Sequence, residues 1–247
     1  MSMSGDTQTG HRVAVFGASG GLGRAFCNIL QDDPQVSEIY ELSRAGNTST
    51  GEKSTGLSFD MSDEGSIQDA AHAIGCDGPL HTVLVATGVL HDDEAQPEKR
   101  ALDLDSKSLA HLFHLNTIGP TMVAKHMLPL LDREERSVFA ALSARVGSIS
   151  DNRLGGWHSY RASKAALNMI LRTLSVELAY KNPGAICVAL HPGTVDTVLS
   201  KPFQKNVPDE KLFTPRYAAT QMLSVLDGLS PQDTGGFFAW DGKPIAY

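Results

Sequence analysis

Short runs rich in β-branched and apolar residues alternate along the chain with longer segments that carry a helical apolar period. The candidate strands cover residues 12–16, 38–42, 56–59, 82–86, 137–142, 185–190 and 236–240. The helical patterns cover residues 22–30, 67–74, 109–131, 162–179 and 218–226. Strands that alternate with helices form βαβ crossovers, which place helices on both faces of a parallel sheet. The alternation therefore predicts an α/β fold with a doubly wound, mostly parallel sheet of seven strands.

Length and charge limit the domain count and the class of partner. At 247 residues and 41% hydrophobic composition the chain is long enough to bury one large core, and no internal repeat or linker divides it. We expect one domain over residues 11–247, preceded by a disordered segment, residues 1–10, that is rich in Ser, Thr and Gly. The formal net charge of −7 provides no basic face, so neither nucleic acid nor a membrane is expected as a partner.

The cysteines and the apolar runs bear on the compartment. Cys27, Cys76 and Cys187 are widely spaced and form no CxxC pair, so neither a disulfide framework nor a zinc site is expected. Residues 1–10 contain no apolar stretch of the signal-peptide type. No later run approaches the roughly 18 apolar residues that a membrane span requires. We therefore expect a cytoplasmic protein that binds no metal.

Two segments lack apolar periodicity and are predicted to be loops. Residues 45–55 are mostly Gly, Asn, Ser, Thr and Lys, so a crossover helix is not expected there. Residues 198–210 mix two prolines, a phenylalanine and a valine with charged residues. This second segment could act as a mobile lid over a binding site.

A glycine-rich turn follows the first predicted strand and precedes the first predicted helix. Small residues let a pyrophosphate approach the backbone, and a helix N-terminus offers unpaired N–H groups with a partial positive charge. Glycines also occur in turns for steric reasons alone, but the position between strand and helix favours dinucleotide binding. The predicted cofactor contacts in this turn are Gly17, Ser19, Gly20, Gly21, Leu22 and Gly23.

The ends of the second and third predicted strands bear on the choice of dinucleotide. An acidic residue after the second strand would bind the ribose 2′-hydroxyl of NADH, but this chain has Ser43-Arg44. Arg44 could clasp the 2′-phosphate of NADPH or could be an ordinary solvated arginine, and Arg24 could assist it or face solvent. Asp60, followed by Met61, is placed to contact adenine or to cap the next helix. The pattern favours NADPH over NADH.

Tyr160 and Lys164 are candidate catalytic residues because a spacing of four places both side chains on one face of a helix. A nearby ammonium favours the phenolate and would move the pKa of a tyrosine toward neutrality. Ser143 ends a strand, where its hydroxyl could polarise a substrate carbonyl. Asn116 lies just before Gly119-Pro120, where a local kink could free a backbone carbonyl to hold water.

These motifs occur in an order that resembles the short-chain dehydrogenase/reductase family over nearly the whole chain. The set is Gly17-x-x-x-Gly21-x-Gly23, Asn116, Ser143, Tyr160-x-x-x-Lys164 and Pro192-Gly193. Residues 142–152, Gly155-Gly156 and residues 160–168 are similar to those of the C-factor-like branch, which includes cell-contact signalling proteins and small carbonyl reductases. The resemblance implies a Rossmann-type domain. It also implies further cofactor contacts at Ala86, Thr87, Gly88, Tyr160, Lys164, Pro192, Gly193, Val195 and Thr197.

The resemblance further implies a catalytic tetrad. Tyr160 would give or take the proton, and Ser143 would hold the carbonyl. Lys164 would bind the nicotinamide ribose and lower the pKa of Tyr160, while Asn116 would maintain a proton-relay water. One motif departs from the family pattern, because the common Asn-Asn-Ala-Gly after the fourth strand is replaced here by residues 85–88, Val-Ala-Thr-Gly. The hydrogen bonds of both asparagines must then be replaced or absent, and Thr87 could substitute in part.

Two functions are compatible with these residues. The first is NADPH-dependent hydride transfer between nicotinamide and a carbonyl or alcohol carbon of a small, partly apolar substrate. The second is a dinucleotide-binding signalling or redox-sensing protein with little turnover, against which the intact tetrad argues. The family often pairs through the helices that bear Asn116 and Tyr160, so monomer, homodimer and homotetramer stay open. The candidate pocket walls are Trp157, His158, Arg145, Arg153 and residues 198–210, with His158 expected at a pocket wall or at the surface.

Overall fold

The protein is described by a computed structural model that covers residues 10–46 and 49–247. Its strands are β1 (His11–Phe16), β2 (Val36–Ser43), β3 (Ser54–Ser58), β4 (Thr82–Val85), β5 (Ser137–Leu142), β6 (Ala185–His191), β7 (Thr194–Val195), β8 (Leu212–Phe213) and β9 (Phe237–Ala239). Seven of them form one parallel sheet in the order β3-β2-β1-β4-β5-β6-β9, and β7 pairs with β8. The predicted seven-stranded parallel sheet is confirmed, with strand ends within one or two residues of expectation.

Helices cover both faces of this sheet, as predicted. They are α1 (Gly21–Gln31), α2 (Glu64–Gly75), α3 (Ser106–Phe113), α4 (Gly119–Met127), α5 (His158–Lys181) and α6 (Pro215–Gly228). Because side chains alternate along a strand, Val15 of β1 joins the apolar cluster of α1 and α6, which includes Phe26. Its neighbour Phe16 joins the cluster of α2, α4 and α5, which includes Ile67 and Val123. The fold is therefore a doubly wound α/β sheet.

The strand order reverses between β1 and β4, which are hydrogen-bonded neighbours at the centre of the sheet. In open α/β sheets the crevice at such a reversal, beyond the carboxyl ends of the strands, is where ligands bind. The glycine-rich turn follows β1, and residues 86–88 follow β4. The fold thus brings these two segments together at the expected crevice.

The helical pattern at residues 109–131 is interrupted rather than continuous. A π-helical turn, His114–Ile118, joins α3 to α4 and contains Asn116. The predicted irregularity is therefore present, although it lies just before Gly119-Pro120 and not at that dipeptide. A π-turn inserts one residue into the helix, and such insertions are frequent at functional sites.

The two predicted loops and the capping of α2 differ in how closely they match expectation. No helix occurs between β2 and β3 in the described residues, in agreement with the predicted loop, of which residues 47 and 48 lie outside them. Asp60 does not cap α2, because Asp63 does so by accepting a hydrogen bond of 2.9 Å from the Gly65 N–H. The predicted loop at residues 198–210 contains one short 3-10 helix, Lys201–Asn206, and the beginning of a second, Asp209–Lys211.

Two further features are the N-terminal segment and the suitability of the helices for a membrane. The predicted disordered segment, residues 1–10, lies outside the described residues except for Gly10, and a single domain over residues 11–247 stays a prediction. Among the helices of the described residues, none combines the length and the apolar character needed to cross a bilayer.

Candidate active site

The glycine-rich turn packs closely against the first turn of α1. Gly17 has φ +88°, a left-handed conformation that favours glycine, and its carbonyl accepts a hydrogen bond of 2.9 Å from the Gly20 N–H. A Cβ on Gly23 would overlap the carbonyl oxygen of Gly17. The two glycines therefore allow a tight turn between β1 and α1, and no side chain at these two positions covers the backbone of the turn.

The N-terminus of α1 lacks the side-chain cap that α2, α3 and α6 have. Asp63, Asp105 and Thr214 accept hydrogen bonds from the first turns of α2, α3 and α6. In contrast, the N-cap of α1 is Gly20, which offers no side-chain acceptor, and the first turn contains no acidic residue. Helix N-terminal N–H groups without partners carry a partial positive charge and bind anions such as phosphate. The end of α1 that faces the crevice is thus suited to a pyrophosphate.

Asn116 fixes the segment that follows β4. Its Oδ1 accepts a hydrogen bond of 2.8 Å from the Val89 N–H, and its Nδ2 donates to the Val89 carbonyl at 2.7 Å. Nδ2 also lies 3.2 Å from Oγ of Ser163 on α5. Asn116 is fully buried, so these bonds tie the β4 loop to the π-turn and to α5.

Thr87 does not replace the hydrogen bonds of the missing asparagines. Its Oγ1 is buried and has no hydrogen-bond partner in the described part of the chain. Its methyl group instead stands against Gly17, where a Cβ would lie 2.9 Å from Cγ2. The bracing of the β4 loop falls to Asn116, and the Thr87 hydroxyl is left at the crevice.

Tyr160 and Lys164 lie one turn apart near the beginning of α5, and both are buried. Nζ of Lys164 donates a hydrogen bond of 2.9 Å to the carbonyl of Leu142, the residue before Ser143. A Cβ on Gly88 would lie 3.3 Å from the same Nζ. The ammonium is therefore held between the carboxyl ends of β4 and β5.

The electrostatics of this pair differ from the expectation in one respect. Burial raises the pKa of Tyr160 and lowers the pKa of Lys164 to about 8. The predicted lowering of the tyrosine pKa by Lys164 is therefore outweighed, because desolvation disfavours both charged forms. At neutral pH the phenol is protonated, and most of the ammonium remains charged.

The ring of Tyr160 belongs to an apolar cluster that closes one side of the site. The cluster contains Leu90, Ala95 and Leu112, with Val89, Ala144, Val146, Trp157, Leu199 and Phe203 packed against it. The Trp157 ring meets that of Tyr160 at 6.5 Å and that of Phe203 at 5.0 Å between centroids. Residues 199 and 203 belong to the segment predicted as a lid, which here packs onto the site.

Ser143 is held by a residue that the sequence analysis did not select. Its hydroxyl lies 2.6 Å from Oδ1 of Asn168, and both side chains are buried. Asn168 lies eight residues after Tyr160 on α5, which is about two helical turns along the same side. The spacing alone could have suggested Asn168, but its contact with Ser143, the residue that follows β5, is visible only in the fold.

The N-terminus of α5 is capped from a distant loop. Trp157, its N-cap residue, has φ 51° and no side-chain cap, and its N–H donates to the Glu98 carbonyl at 2.6 Å. The buried Glu98 carboxylate accepts hydrogen bonds from the Ser159 hydroxyl and from the Ser159 N–H, the latter at 3.3 Å. The negative charge of the carboxylate also interacts favourably with the positive end of the helix dipole at the N-terminus of α5. Glu98 thus orients the turn that carries Tyr160.

Replacing Glu98 with alanine is expected to lower the free energy of unfolding by about 2 kcal/mol, because two donors at the start of α5 lose their acceptor. Chemical denaturation monitored by circular dichroism measures the change. Asp93→Ala removes an exposed carboxylate of the same region and serves as the matched control, with a change within about 0.5 kcal/mol. Equal stabilities of the Glu98 and Asp93 variants would show that the cap is dispensable.

The other predicted cofactor contacts lie along the same edge of the sheet. The methyl group of Thr197 stands against Gly21, where a Cβ would lie 2.8 Å from Cγ2. Arg44 is exposed directly after β2, and Asp60 is exposed after β3. The rest are distributed as follows: Ser43 ends β2, Met61 packs against Gly119, Ala86 follows β4, Pro192 and Gly193 follow β6, Val195 lies in β7, and Ser19, Gly20 and Leu22 border the glycine turn.

The candidate pocket walls separate into two groups. Trp157 contacts the cluster around Tyr160, and His158 begins α5 with its Nδ1 buried and without a partner in the described residues. Arg145 is exposed and lies 3.4 Å from Asp151, and Arg153 is exposed. Neither arginine belongs to the apolar cluster.

Three side chains that could ligate a metal meet at the opposite edge of the sheet. The ring of His81 stacks on His11 at 4.7 Å between centroids, and its Nε2 lies 3.3 Å from the Glu135 carboxylate. Nδ1 of His81 accepts a hydrogen bond of 3.2 Å from the Arg12 N–H, so the proton of the neutral ring is on Nε2. Burial lowers the pKa of His81, which favours that neutral ring. A metal on Nε2 would require an imidazolate, so the arrangement suits a hydrogen-bonded group and not a metal site.

Comparisons with known proteins agree with this geometry. The C-signal of Myxococcus xanthus is 37% identical over 145 residues, which cover 59% of this chain and 82% of that protein. The 1-hydroxy-2-glutathionyl-2-methyl-3-butene dehydrogenase of Rhodococcus sp. is 30% identical over 238 residues, 93% of this chain and 96% of that protein.

Two solved structures are similar over nearly the whole chain. The carbonyl reductase Sniffer of D. melanogaster superposes with a TM-score of 0.82 at 25% identity and covers 96% of this chain and 100% of that one. The NADPH-bound carbonyl reductase from chicken fatty liver superposes with a TM-score of 0.83 at 26% identity and covers 96% of this chain and 94% of that one. The family model described as short chain dehydrogenase matches residues 11–208. With its glycine turn at the sheet reversal and its buried Tyr160 and Lys164, this chain belongs to the short-chain dehydrogenase family of oxidoreductases.

Proposed function

We propose that this oxidoreductase uses NADPH to interconvert a carbonyl and an alcohol on a small, partly apolar substrate, with Tyr160 as the general acid and base. The observation that carries the proposal is the position of the Lys164 ammonium. It bonds to the Leu142 carbonyl one residue before Ser143 and lies against Gly88, one turn along α5 from Tyr160. A phenol, a hydroxyl and a cation thus share one edge of the sheet with a glycine-rich turn.

The residues present fit a dinucleotide. The uncapped N-terminus of α1 would hold the pyrophosphate, and the unpartnered Thr87 hydroxyl and the Lys164 ammonium would face the nicotinamide half. The full set of proposed contacts is Gly17, Ser19, Gly20, Gly21, Leu22, Gly23, Ser43, Arg44, Asp60, Met61, Ala86, Thr87, Gly88, Tyr160, Lys164, Pro192, Gly193, Val195 and Thr197. NADPH supplies the hydride when it is bound, and the protein contributes orientation and electrostatics.

Tyr160 gives its proton to the substrate oxygen during reduction. The raised pKa of its phenol keeps the proton in place at neutral pH until the oxygen gains negative charge. The hydroxyl of Ser143 donates a hydrogen bond to the same oxygen and stabilises that charge. As the phenolate forms, the Lys164 ammonium one turn away stabilises it. The apolar cluster around Tyr160 excludes water, which strengthens these interactions.

Asn116 contributes indirectly in this proposal. Its two hydrogen bonds to Val89 hold the β4 loop against α5, so Gly88 stays beside the Lys164 ammonium. Its proposed role in holding a relay water stays a prediction. The π-turn around Asn116 supports that role, because it interrupts regular helix bonding at the predicted place.

Arg44 is the proposed source of the preference for NADPH. It is exposed at the end of β2, where no carboxylate follows the strand, and the similar chicken enzyme is described as bound to NADPH. Replacing Arg44 with alanine is expected to weaken NADPH binding about 10- to 100-fold and to change NADH binding little, because a charge-assisted phosphate contact is lost. Fluorescence titration of both cofactors measures this. Arg153→Ala removes an exposed arginine distant in sequence from the glycine-rich turn and should leave the dissociation constants of NADPH and NADH unchanged. Equal affinities of the wild type for the two cofactors would contradict the role of Arg44.

The substrate class is supported by the apolar cluster and by the relatives. Sniffer and the chicken enzyme are named carbonyl reductases, and the Rhodococcus relative is named a dehydrogenase of a hydroxy compound. The test is NADPH oxidation with benzaldehyde, cyclohexanone and para-benzoquinone, with NADPH binding measured in parallel. We expect turnover with at least one of these carbonyls. Tight binding of NADPH without any turnover above the Tyr160→Phe variant would contradict an enzymatic role.

That contrary result would instead favour a dinucleotide-binding signalling or redox-sensing protein with little turnover. The observation on its side is the similarity to the protein named C-signal, at 37% identity. The presence of Asn116, Ser143, Tyr160 and Lys164 argues for catalysis, since a sensor needs only the cofactor contacts.

A cytoplasmic location and self-association complete the proposal. Cys27, Cys76 and Cys187 are free thiols, which suits a reducing compartment. Met169, Val176 and Tyr180 expose apolar surface along α5, one of the helices through which the family resemblance implies pairing. This exposed strip supports a homo-oligomer over a monomer.

A further inference from the structure

Ser143 and Asn168 form a buried pair whose hydrogen bonding conflicts with the proposed chemistry. Oγ of Ser143 lies 2.6 Å from Oδ1 of Asn168, and the residues are 4% and 1% exposed. The serine hydroxyl is the donor in this contact, because an amide oxygen can only accept. Nδ2 of Asn168 is buried and has no hydrogen-bond partner in the described residues. The pair therefore uses the only proton of Ser143 and leaves an amide donor unused.

The proposed function requires that same proton elsewhere. A hydroxyl has one proton and two acceptor sites, so Ser143 cannot donate at once to Asn168 and to a substrate carbonyl. Suppose that the Ser143 hydroxyl rotated to donate its hydrogen bond to the carbonyl while Asn168 kept its orientation. Oγ of Ser143 and Oδ1 of Asn168 would then face each other at 2.6 Å with no hydrogen between them. That contact would be repulsive in a buried, low-dielectric place. Something in the pair must change when a carbonyl binds.

We propose that Asn168 is a positioning residue that turns its amide by half a rotation when a carbonyl binds, so that Nδ2 donates to Oγ of Ser143. The two ends of an amide have nearly the same shape, so the turn needs no repacking. Nδ2 has no hydrogen bond to lose within the described residues, and it gains one. The serine proton is then directed at the substrate oxygen, and donation from the amide strengthens the hydroxyl as a donor. This inference rests on the proposed function and adds a residue to it.

The inference explains why this position needs an amide. A carboxylate of the same shape can only accept, so it would hold the Ser143 proton permanently. An aliphatic side chain of similar size would release the proton but would neither orient nor polarise the hydroxyl. The two substitutions therefore have unequal effects, whereas a role in packing alone would make the isosteric aspartate the milder change.

The test compares Asn168→Asp with Asn168→Leu in wild-type and Ser143→Ala backgrounds. The assay uses NADPH and whichever of benzaldehyde, cyclohexanone and para-benzoquinone the wild type reduces fastest. We expect kcat to fall about 100-fold in Asn168→Asp and about tenfold in Asn168→Leu. In the Ser143→Ala background, Asn168→Asp should change kcat less than about twofold, because the effect acts through the serine hydroxyl. An effect of the new charge on Tyr160 or Lys164 would persist in that background.

The pH profile supplies a second readout that a structural role would not move. A protonated aspartic acid can donate, so kcat of Asn168→Asp should rise relative to the wild type as the pH falls from about 8 to about 6. Asn168→Leu should show no such rise. Asn182→Asp changes another buried asparagine, at the end of α5, and is the matched control; its kcat should follow the wild-type profile.

A measurement without turnover completes the test. The side-chain amide signal of Asn168 in a nitrogen-15 NMR spectrum is identified by its absence in Asn168→Asp. It should shift when NADP+ and benzaldehyde are added to the wild type, and it should not shift in Ser143→Ala. Two results would overturn this inference and leave the proposed function standing, provided that the wild type turns over. One is an equal loss of kcat in Asn168→Asp and Asn168→Leu. The other is a loss of kcat on Asn168→Asp that persists in the Ser143→Ala background. Absence of turnover in the wild type would overturn the proposed function and this inference with it.

Discussion

Replacing Tyr160 with phenylalanine is expected to lower kcat for carbonyl reduction by about 10²- to 10⁴-fold, the range for loss of a positioned general acid. The ring would keep its place in the cluster with Leu90, Ala95 and Leu112, because these contacts are apolar. The melting temperature should therefore stay close to that of the wild type. Tyr160 is also a proposed cofactor contact, but the substitution removes only its hydroxyl, so the affinity for NADPH should weaken by no more than about tenfold. Steady-state kinetics, cofactor titration and thermal denaturation on the same preparation separate the three effects.

Tyr180 provides the matched control for this substitution. It lies on the same helix as Tyr160 but is 87% exposed and far along the chain from the glycine turn. Tyr180→Phe should leave kcat unchanged. If Tyr160→Phe kept more than about a tenth of the wild-type kcat, another group would have to supply the proton.

Replacing Lys164 with methionine should have the second-largest effect on the reaction. The substitution removes the buried cation that stabilises the Tyr160 phenolate, and we expect kcat to fall about 10²- to 10³-fold, as for the loss of one electrostatic donor. NADPH binding should weaken as well, since Lys164 is a proposed cofactor contact. Lys181→Met changes an exposed lysine at the end of the same helix and should alter neither quantity.

The same variant should reveal the energetic cost of burying Lys164. A pKa lowered from 10.5 to about 8 corresponds to about 3 kcal/mol against the charged form in the folded protein. At about pH 7 this cost is fully present, and Lys164→Met relieves it but leaves the Leu142 carbonyl without its donor, at about 1–3 kcal/mol. The two terms roughly cancel, so the stabilities of wild type and variant should be similar near neutral pH.

The pH dependence follows from the direction of the shift. Between about pH 8 and about pH 10.5 the unfolded chain binds more protons at Lys164 than the folded chain, so this lysine makes the wild type more stable as the pH rises. The free energy of unfolding of the wild type should therefore increase relative to Lys164→Met over this range. A difference that stays constant with pH would contradict a buried, charged Lys164.

The strands and the order of the motifs were predictable because local patterns determine them. Seven β-branched runs became the seven strands of the main sheet, and the glycine turn lies between β1 and α1 as expected. The 109–131 pattern was predictable only as an irregular helix. The apolar period continues across His114–Ile118, so it does not reveal that the interruption is a π-turn.

Contacts between distant parts of the chain were not predictable from periodicity. Glu98 caps α5 from 61 residues away, and Asn168 meets Ser143 across the space between α5 and β5. Both partners are ordinary polar residues in sequence, and their roles depend on which elements the fold brings together. The direction of the Tyr160 pKa shift is unpredictable for a related reason, since burial, which only the fold determines, outweighs the effect of Lys164.

The central claim is that Tyr160 and its neighbours carry out hydride transfer to a carbonyl. The direct measurement uses NADPH with deuterium at the reactive nicotinamide carbon and benzaldehyde, cyclohexanone or para-benzoquinone as the acceptor. Mass spectrometry of the alcohol formed from benzaldehyde or cyclohexanone should show deuterium on the former carbonyl carbon with the wild type. Tyr160→Phe should form about 10²- to 10⁴-fold less of this deuterated alcohol in the same time. NADPH binding by the wild type without turnover of any of the three acceptors would contradict the account. So would an alcohol product that lacks the deuterium, or equal amounts of deuterated alcohol formed by the wild type and by Tyr160→Phe.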